Sequence, residues 1–214
     1  MLSVLHESFW ERLSEVVRLK RQTFEAIQRD PEATSQSWWI VVLLGLANGI
    51  AWIVTPIVVD VPGMTDEMAR DVAALAAAFT FDTTERQIAA LVVAIFLTIL
   101  SWYLSSWLLR VIGNRVAGKE GRQVTTAEMR RLVAWGYSPT LASFLTPIPA
   151  VGPLLATLGA LWTFVTGVMA VRVAFGVSIW KAIGIEIAAF LFLAVLVVAI
   201  AVVLSTVVIA SSLA

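Results

Sequence analysis

The sequence predicts an all-α protein, a polytopic transmembrane helical bundle of about five spans with an N-terminal amphipathic helix. Of its 214 residues, 59% are apolar and only 14% are charged, whereas soluble domains carry about 25% charged residues. The apolar residues also collect in blocks of about 18–25 residues, the length that a helix needs to cross roughly 30 Å of hydrocarbon. Because lipid offers the backbone no hydrogen-bond partners, such blocks must be helical.

Residues 1–37 are predicted to form a cytoplasmic amphipathic N-terminal helix and a linker. Over residues 3–29, apolar side chains such as Phe9, Leu13 and Phe24 share one face of a single helix, and charged side chains occupy the other. Proline disfavours helix at the residue before it, so the Asp30-Pro31 pair ends this helix. Three interpretations are open: the helix packs on the protein's own surface, lies in the membrane interface, or binds a partner.

Residues 38–214 are predicted to form the transmembrane bundle, with spans at about 38–59, 87–110, 129–147, 152–174 and 183–209. Gly113-Asn114 is a helix-stop signal after the second span. Thr125 and Glu128 match a capping box that opens the next helix. The third block is short and contains Pro139, so it either crosses the membrane fully or forms a re-entrant hairpin with the fourth block.

Small and weakly polar residues recur on single faces of the spans, a pattern that lets helix backbones approach closely. The predicted helix-packing positions are Gly45, Asn48, Gly49, Ser101, Gly152, Ala156, Gly159 and Gly167. For Gly45 and Gly49, packing within the chain and a homodimer seam are both open. The fourth span is expected at the centre of the bundle.

The distribution of basic residues predicts the orientation of the bundle. All Lys and Arg residues except Arg70 and Arg86 fall in segments 1–37, 110–131 and 172–181. With five crossings these three segments share one side of the membrane, and the loop around 60–86 on the other side is acidic. Because Lys and Arg near span ends mark the cytoplasmic side, the N-terminus is predicted inside and the C-terminus outside.

Residues that could perform catalysis are scarce. The chain has no cysteine, and its single histidine, His6, has no partners for a metal site or a catalytic triad. No glycine-rich phosphate loop follows a strand. The formal net charge is zero, so no overall field attracts nucleic acid. We therefore expect no enzyme, no cofactor, no metal site and no nucleic-acid partner.

Glu186 is the one acidic residue that lies inside a predicted span. An ionisable residue in a span is a functional candidate, and it needs a partner. Arg172, at the cytoplasmic end of the fourth span, is the predicted partner in an intramembrane charge pair. This pair either ties the fourth and fifth helices together or serves a proton or an ion.

Three features from Arg110 onward are distinctive in combination: a basic loop with Gly113, Gly118 and Gly121, the motif Gly136, Tyr137 and Pro139, and the Pro/Gly-rich turn 147–153. In these features the sequence resembles the Yip (Ypt-interacting protein) family of membrane proteins in its bacterial form. The resemblance extends over about residues 20–210. The family implies five spans and a cytoplasmic N-terminus. Its eukaryotic members bind prenylated Rab-type GTPases, but their acidic, aromatic N-terminal motif is missing here.

The functional expectation is a non-enzymatic integral membrane scaffold or adaptor, as an accessory subunit of a larger membrane complex or in membrane organisation. The alternative is a small transporter or channel component with a polar path touching Asn48, Thr98, Ser101 or Glu186. The expected partners are the lipid bilayer and other membrane proteins, or a second copy of the chain. The expected location is a bacterial cytoplasmic (inner) membrane.

Overall fold

The structure is a computed structural model that describes residues 8–55, 65, 68, 70, 80–118 and 121–212, with side chains described as far as residue 200 and at 202. His6 and most of the acidic loop 60–86 lie outside the described residues. The helices are α1 (Phe9–Val17), α2 (Arg21–Arg29), α3 (Ala33–Val54), α4 (Thr84–Ala117), α5 (Thr126–Gly136), a 3₁₀ helix (Ser138–Leu145), α6 (Val151–Phe175) and α7 (Ile179–Ser212).

The N-terminal amphipathic stretch is two helices, where the sequence analysis predicted one. The chain turns between α1 and α2 at Leu19, which has a φ of 60°. This left-handed conformation costs a non-glycine residue roughly 1–2 kcal/mol. Complete burial of Val16 before the turn and of Phe24 after it offsets that cost. The periodicity could not show the turn, because both helices present the same kind of apolar face.

The apolar faces of α1 and α2 pack on the protein itself, as the first of the three interpretations proposed. Helix α2 contacts α5 and α6, and α1 contacts α5, α6 and the 3₁₀ helix. Phe24 and Ile27 are fully buried there, and the ring of Phe9 lies 5.4 Å from that of Trp135. The N-terminal helices are therefore part of the folded core.

Helices α3 and α4 form a closely packed antiparallel pair. A Cβ atom at Gly45 would lie 2.6 Å from the Cα of Ile95, and one at Gly49 would lie 3.1 Å from the Cα of Leu91. Asn48 donates a hydrogen bond across the same contact to Thr98, at 3.4 Å. The two glycines thus pack within the chain, which leaves their faces no room for a homodimer seam.

Helix α4 continues past its predicted end at Arg110 and past the expected stop at Gly113-Asn114. Gly113 is needed for packing, because a Cβ there would overlap the ring of Phe175. Asn114 instead fixes the following loop, donating to the carbonyl of Val124 at 3.1 Å and accepting from its N–H at 2.9 Å. The helix ends at Gly118, which has a φ of 59°.

The third apolar block, predicted as a span at about 129–147, is broken into two helices. The capping box of Thr125 and Glu128 opens α5 as predicted. Helix α5 ends at Gly136, because Pro139 has no N–H to offer the carbonyl of Trp135 four residues earlier. The 3₁₀ helix then runs antiparallel to α6. Gly152 faces Leu145 and Gly159 faces Pro139 across this contact.

The three basic segments meet at one end of the bundle, formed by α2, the C-termini of α4 and α6 and the N-terminus of α5, and named here the basic end. The N–H of Arg122 donates to the carbonyl of Phe175 at 3.1 Å. The amide of Gln28 donates to the carbonyl of Ala174 at 3.3 Å. The segments 1–37, 110–131 and 172–181 are therefore on the same side of the fold, as the charge distribution predicted.

The rest of the bundle exposes large apolar side chains along its helices. On α4 these include Phe96 and Leu100, on α6 Leu158 and Leu161, and on α7 Phe190 and Val195. Within the described residues, four helices are long and apolar enough to cross a membrane: α3, α4, α6 and residues Ile179–Ile200 of α7. Exposed apolar surface on this scale is expected of helices whose solvent is lipid.

Candidate functional site

Two cavities lie on either side of Tyr137, in the interior of the bundle. The first has a volume of about 250 Å³ and lies between α3, α4 and the junction of α5 with the 3₁₀ helix. Its polar lining comes from Asn48, Thr98, Ser101 and Thr140, and the rest is apolar. Three of the four residues expected to touch a polar path, Asn48, Thr98 and Ser101, therefore border one cavity.

The second cavity has a volume of about 240 Å³ and lies between α4, α6 and α7. Its polar lining is Ser105, Tyr137, Thr163 and Glu186, surrounded by leucine, phenylalanine and alanine side chains. The Tyr137 hydroxyl faces the side chain of Ser105. Glu186 is the only formally charged residue among those that line either cavity.

Tyr137 occupies this position because of the break between α5 and the 3₁₀ helix. It is the C-terminal cap of α5, and its N–H donates to the carbonyl of Val133 at 2.9 Å. The Thr166 hydroxyl on α6 donates to the carbonyl of Gly136, which holds the end of α5 against α6. The predicted motif of Gly136, Tyr137 and Pro139 thus forms the junction that separates the two cavities.

Glu186 is only 8% exposed, and its Oε2 has no hydrogen-bond partner in the described part of the chain. The residue that faces it is Gly167, where a Cβ would lie 2.7 Å from Oε1. Arg172 does not make an ion pair with it: the pairs among the described residues all join other side chains. The predicted charge pair is therefore absent from this part of the structure, because Glu186 lies opposite Gly167, below the level of Arg172.

The remaining predicted packing positions lie along the hairpin of the 3₁₀ helix and α6. A Cβ at Gly159 would lie 2.6 Å from the carbonyl oxygen of Pro139, and one at Gly152 would overlap the carbonyl of Leu145. Thr140 and Thr163 share a hydrogen bond of 2.7 Å across the same contact. Ala156 is half-buried between the two glycines in sequence.

The charged contacts that hold the N-terminal helices on the basic end were missed by the sequence analysis. Arg12 and Asp30 form an ion pair of 2.8 Å with side chains only 2% and 10% exposed. Arg131 reaches the C-terminus of α2, where it donates to the carbonyls of Ile27 at 3.2 Å and Gln28 at 2.6 Å. These positions are far apart in sequence, so no local pattern indicated them.

The α1–α2 turn has an ionic cluster of its own around Glu15. Lys20 donates to Glu15 at 2.6 Å, and the Thr23 hydroxyl donates to its other oxygen at 2.6 Å. The hydrogen bond from Lys20, followed by that from Thr23, lowers the pKa of Glu15 below its ordinary value. Glu15 is therefore held ionised where the chain reverses direction.

A metal site would need several ligating side chains close together. Within the residues that the structure describes, no three His, Cys, Asp or Glu side chains come together in this way. The polar groups that line the cavities are hydroxyls, one amide and one carboxyl. They can bind through hydrogen bonds and one charge.

The apolar helices and the lipid-exposed surface define an integral membrane protein of the all-helical class. The family model described as the Yip1 domain matches residues 15–206. The chain therefore belongs to the Yip1 domain family, as the resemblance in its motifs indicated. Searches of the curated proteins and of the solved structures found no match.

Proposed function

We propose that the protein is a non-enzymatic membrane scaffold or adaptor that presents the basic end of its bundle to other membrane proteins or to a second copy of itself. The observation that supports this most directly is the docking of α1 and α2. A buried ion pair joins α1 to the C-terminal cap of α2, and Arg131 of α5 caps α2 and so fixes it to the bundle. A protein that only anchored itself in the membrane would not need N-terminal helices fixed in this way. A surface that binds a partner must be held rigid.

The basic end is proposed to face the cytoplasm, in the inner membrane of a bacterium, with the N-terminus inside and the C-terminus outside. The convergence of the basic segments supports this, because Lys and Arg near span ends mark the cytoplasmic side. Helix α5 and the 3₁₀ helix are each about 16 Å long at their usual rise per residue. Together they are long enough for a fifth crossing. A re-entrant hairpin would leave the side of the C-terminus unchanged.

Site-specific photocrosslinking in native membranes tests the scaffold proposal. A photoreactive residue replaces Trp10 or Trp180 at the basic end, which are 72% and 79% exposed. The same replacement at Val198, which is 62% exposed on α7 within the apolar bundle, is the control. The proposal predicts one defined protein adduct from the basic-end positions that the control position does not give. Recovery of the monomer alone from all positions contradicts it.

The two cavities support a second candidate function, a small transporter or channel component. Polar side chains from four helices and the 3₁₀ helix line them, and Tyr137 is the shared wall. Replacement of Tyr137 by alanine would join the cavities. If the protein conducts a solute, Tyr137→Ala should raise the flux of small solutes into proteoliposomes, whereas Tyr103→Ala, at a half-exposed tyrosine of α4, should not. If the flux is the same with Tyr137→Ala, with Tyr103→Ala and in liposomes without protein, a transporter or channel function is excluded.

A further inference from the structure

The second cavity contains a carboxyl group that has no counter-charge among the residues that the structure describes. Glu186 lines the cavity of about 240 Å³ and is more than nine-tenths buried. Within residues 8–55, 80–118 and 121–200, none donates a hydrogen bond to one of its oxygens, Oε2. An isolated carboxylate in apolar surroundings is costly unless it is paired.

The position on α6 that faces this carboxyl group is a glycine and not a side chain that could pair with it. Gly167 clears the space that the carboxyl group occupies, since any side chain there would begin 2.7 Å from Oε1. Arg172 lies five residues further along α6, yet it does not pair with Glu186 within the described residues. The arrangement therefore suits a positively charged group that comes from outside the chain.

The other lining groups restrict the chemistry of that ligand. Besides the carboxylate, the cavity offers hydroxyl oxygens from Ser105 and Tyr137 as acceptors, whereas the hydroxyl of Thr163 is already bonded to Thr140 and Gly159. Calcium takes six to eight oxygen ligands, often with more than one carboxylate, and this cavity has a single carboxylate. A primary ammonium has three donors and no acceptor, which matches one carboxylate oxygen and two hydroxyls.

The size and walls of the cavity indicate what carries the ammonium group. The volume of about 240 Å³ is several times the roughly 30 Å³ that one water molecule occupies, so a short alkylammonium fits. Phe164 and Phe190 line the cavity and are 43% and 68% exposed on the apolar surface of the bundle. Aromatic faces attract cations, and these two rings mark an entrance from the lipid side.

We propose that this cavity binds a primary ammonium group, with Glu186 as its counter-ion and Ser105 and Tyr137 as hydrogen-bond acceptors. The ammonium belongs either to the headgroup of an aminophospholipid or to a small free amine. The site is distinct from the scaffold surface, because it lies inside the bundle and requires no protein partner.

Native mass spectrometry of the full-length protein, released from nanodiscs with equal amounts of phosphatidylcholine and phosphatidylethanolamine, tests the proposal. The wild type should retain phosphatidylethanolamine over phosphatidylcholine by about tenfold, the order expected for a buried charge-assisted hydrogen bond. Glu186→Gln should abolish the preference. Glu85→Gln, at an exposed carboxylate in the first turn of α4, should retain it.

Two further measurements distinguish a lipid headgroup from a free amine as the ligand and control for misfolding of Glu186→Gln. If a free amine is the ligand, ethanolamine should raise the melting temperature of the wild type in phosphatidylcholine nanodiscs but not that of Glu186→Gln. Ala160→Leu narrows the cavity from an exposed position and should weaken binding of either ligand with the carboxyl group intact. Equal retention of the two lipids together with no effect of ethanolamine overturns the proposal, as does binding that survives in Glu186→Gln.

Discussion

Glu186 of α7 lies against Gly167 of α6, so closely that a Cβ atom at residue 167 would be 2.7 Å from the carboxyl oxygen Oε1. The same helix face carries Gly159 and Gly152, which allow the 3₁₀ helix to approach. The small residues of α6 therefore allow two different neighbours to approach. These are the 3₁₀ helix at one end of α6 and the buried Glu186 of α7 at the other.

The glycines of this face should differ in their tolerance of a methyl group. Gly159→Ala should lower the free energy of unfolding by about 1–3 kcal/mol, because its Cβ would meet the backbone carbonyl of Pro139 at 2.6 Å. Gly167→Ala should cost less, since the end of a side chain can shift. Equilibrium unfolding in mild detergent measures both.

Gly184→Ala is the matched control for this series. Gly184 lies on α7, and a Cβ atom there would have no neighbouring atom within 4 Å, so alanine should stabilise the helix by up to about 1 kcal/mol. A loss of stability in Gly184→Ala equal to that in Gly159→Ala would contradict the packing described for α6.

The Arg12–Asp30 ion pair should control the docking of α1. Asp30→Asn leaves the buried guanidinium without its counter-charge, and breaking such a pair costs about 3–5 kcal/mol. Hydrogen exchange of residues 9–17 should therefore accelerate strongly while exchange in α4 is unchanged. Arg21→Gln, which breaks an exposed pair with Glu25, should cost under about 1 kcal/mol. Unchanged protection of α1 in Asp30→Asn would refute this role.

Arg131 should hold α2 through the geometry of its guanidinium group as well as its charge. Arg131→Lys keeps the charge but cannot place two donors on the carbonyls of Ile27 and Gln28. Exchange protection of residues 21–29 should fall by about 1–3 kcal/mol. Arg130→Lys is the neighbouring control, because Arg130 lies 4.9 Å from the Tyr103 ring and not on α2. Equal effects of the two variants would show that charge alone matters.

The Glu15 cluster predicts how acid affects the α1–α2 turn. Hydrogen bonds from Lys20 and Thr23 lower the pKa of Glu15 in the folded state below the ordinary value of 4.5. A depressed folded pKa gives stability that is present above the unfolded pKa and is lost as the pH falls through the folded pKa. Limited proteolysis at the turn should therefore increase as the pH falls below 4.5 and through the lowered pKa of Glu15.

Glu15→Gln should remove this pH dependence, because its side chain does not titrate. Glu11→Gln, which replaces an exposed carboxylate on the same helix, should leave it intact. If wild type and Glu15→Gln respond identically to acid, the turn is not stabilised by ionised Glu15.

The long spans were predictable because hydropathy and length decide them helix by helix. The predicted fourth span at 152–174 differs from α6 by one residue at either end. The third block was harder to predict, because Pro139 indicates a break in the helix but not the structure of the residues that follow it. Its 3₁₀ course depends on contacts with Gly152 and Gly159 of the next helix, and periodicity within one block contains no such information.

The candidate site was predicted only in part. Asn48 and Ser101 were predicted as helix-packing positions, Tyr137 as part of the family motif and Glu186 as an ionisable residue in a span. The structure places all four around the two cavities. The partner expected for Glu186 was Arg172, at the cytoplasmic end of the preceding span. The residue that faces Glu186 is set by the register between α6 and α7, which a single sequence does not reveal.

The central claim is that lipid surrounds the apolar helices and that the basic end lies in the cytoplasm. The chain has no cysteine, so single cysteines at Gln123, exposed at the basic end, and at Glu85, exposed at the opposite end of α4, can be labelled selectively. With an impermeant maleimide added to intact cells, we expect Glu85→Cys to react and Gln123→Cys to react only after permeabilisation. Labelling of Gln123→Cys in intact cells would contradict the account.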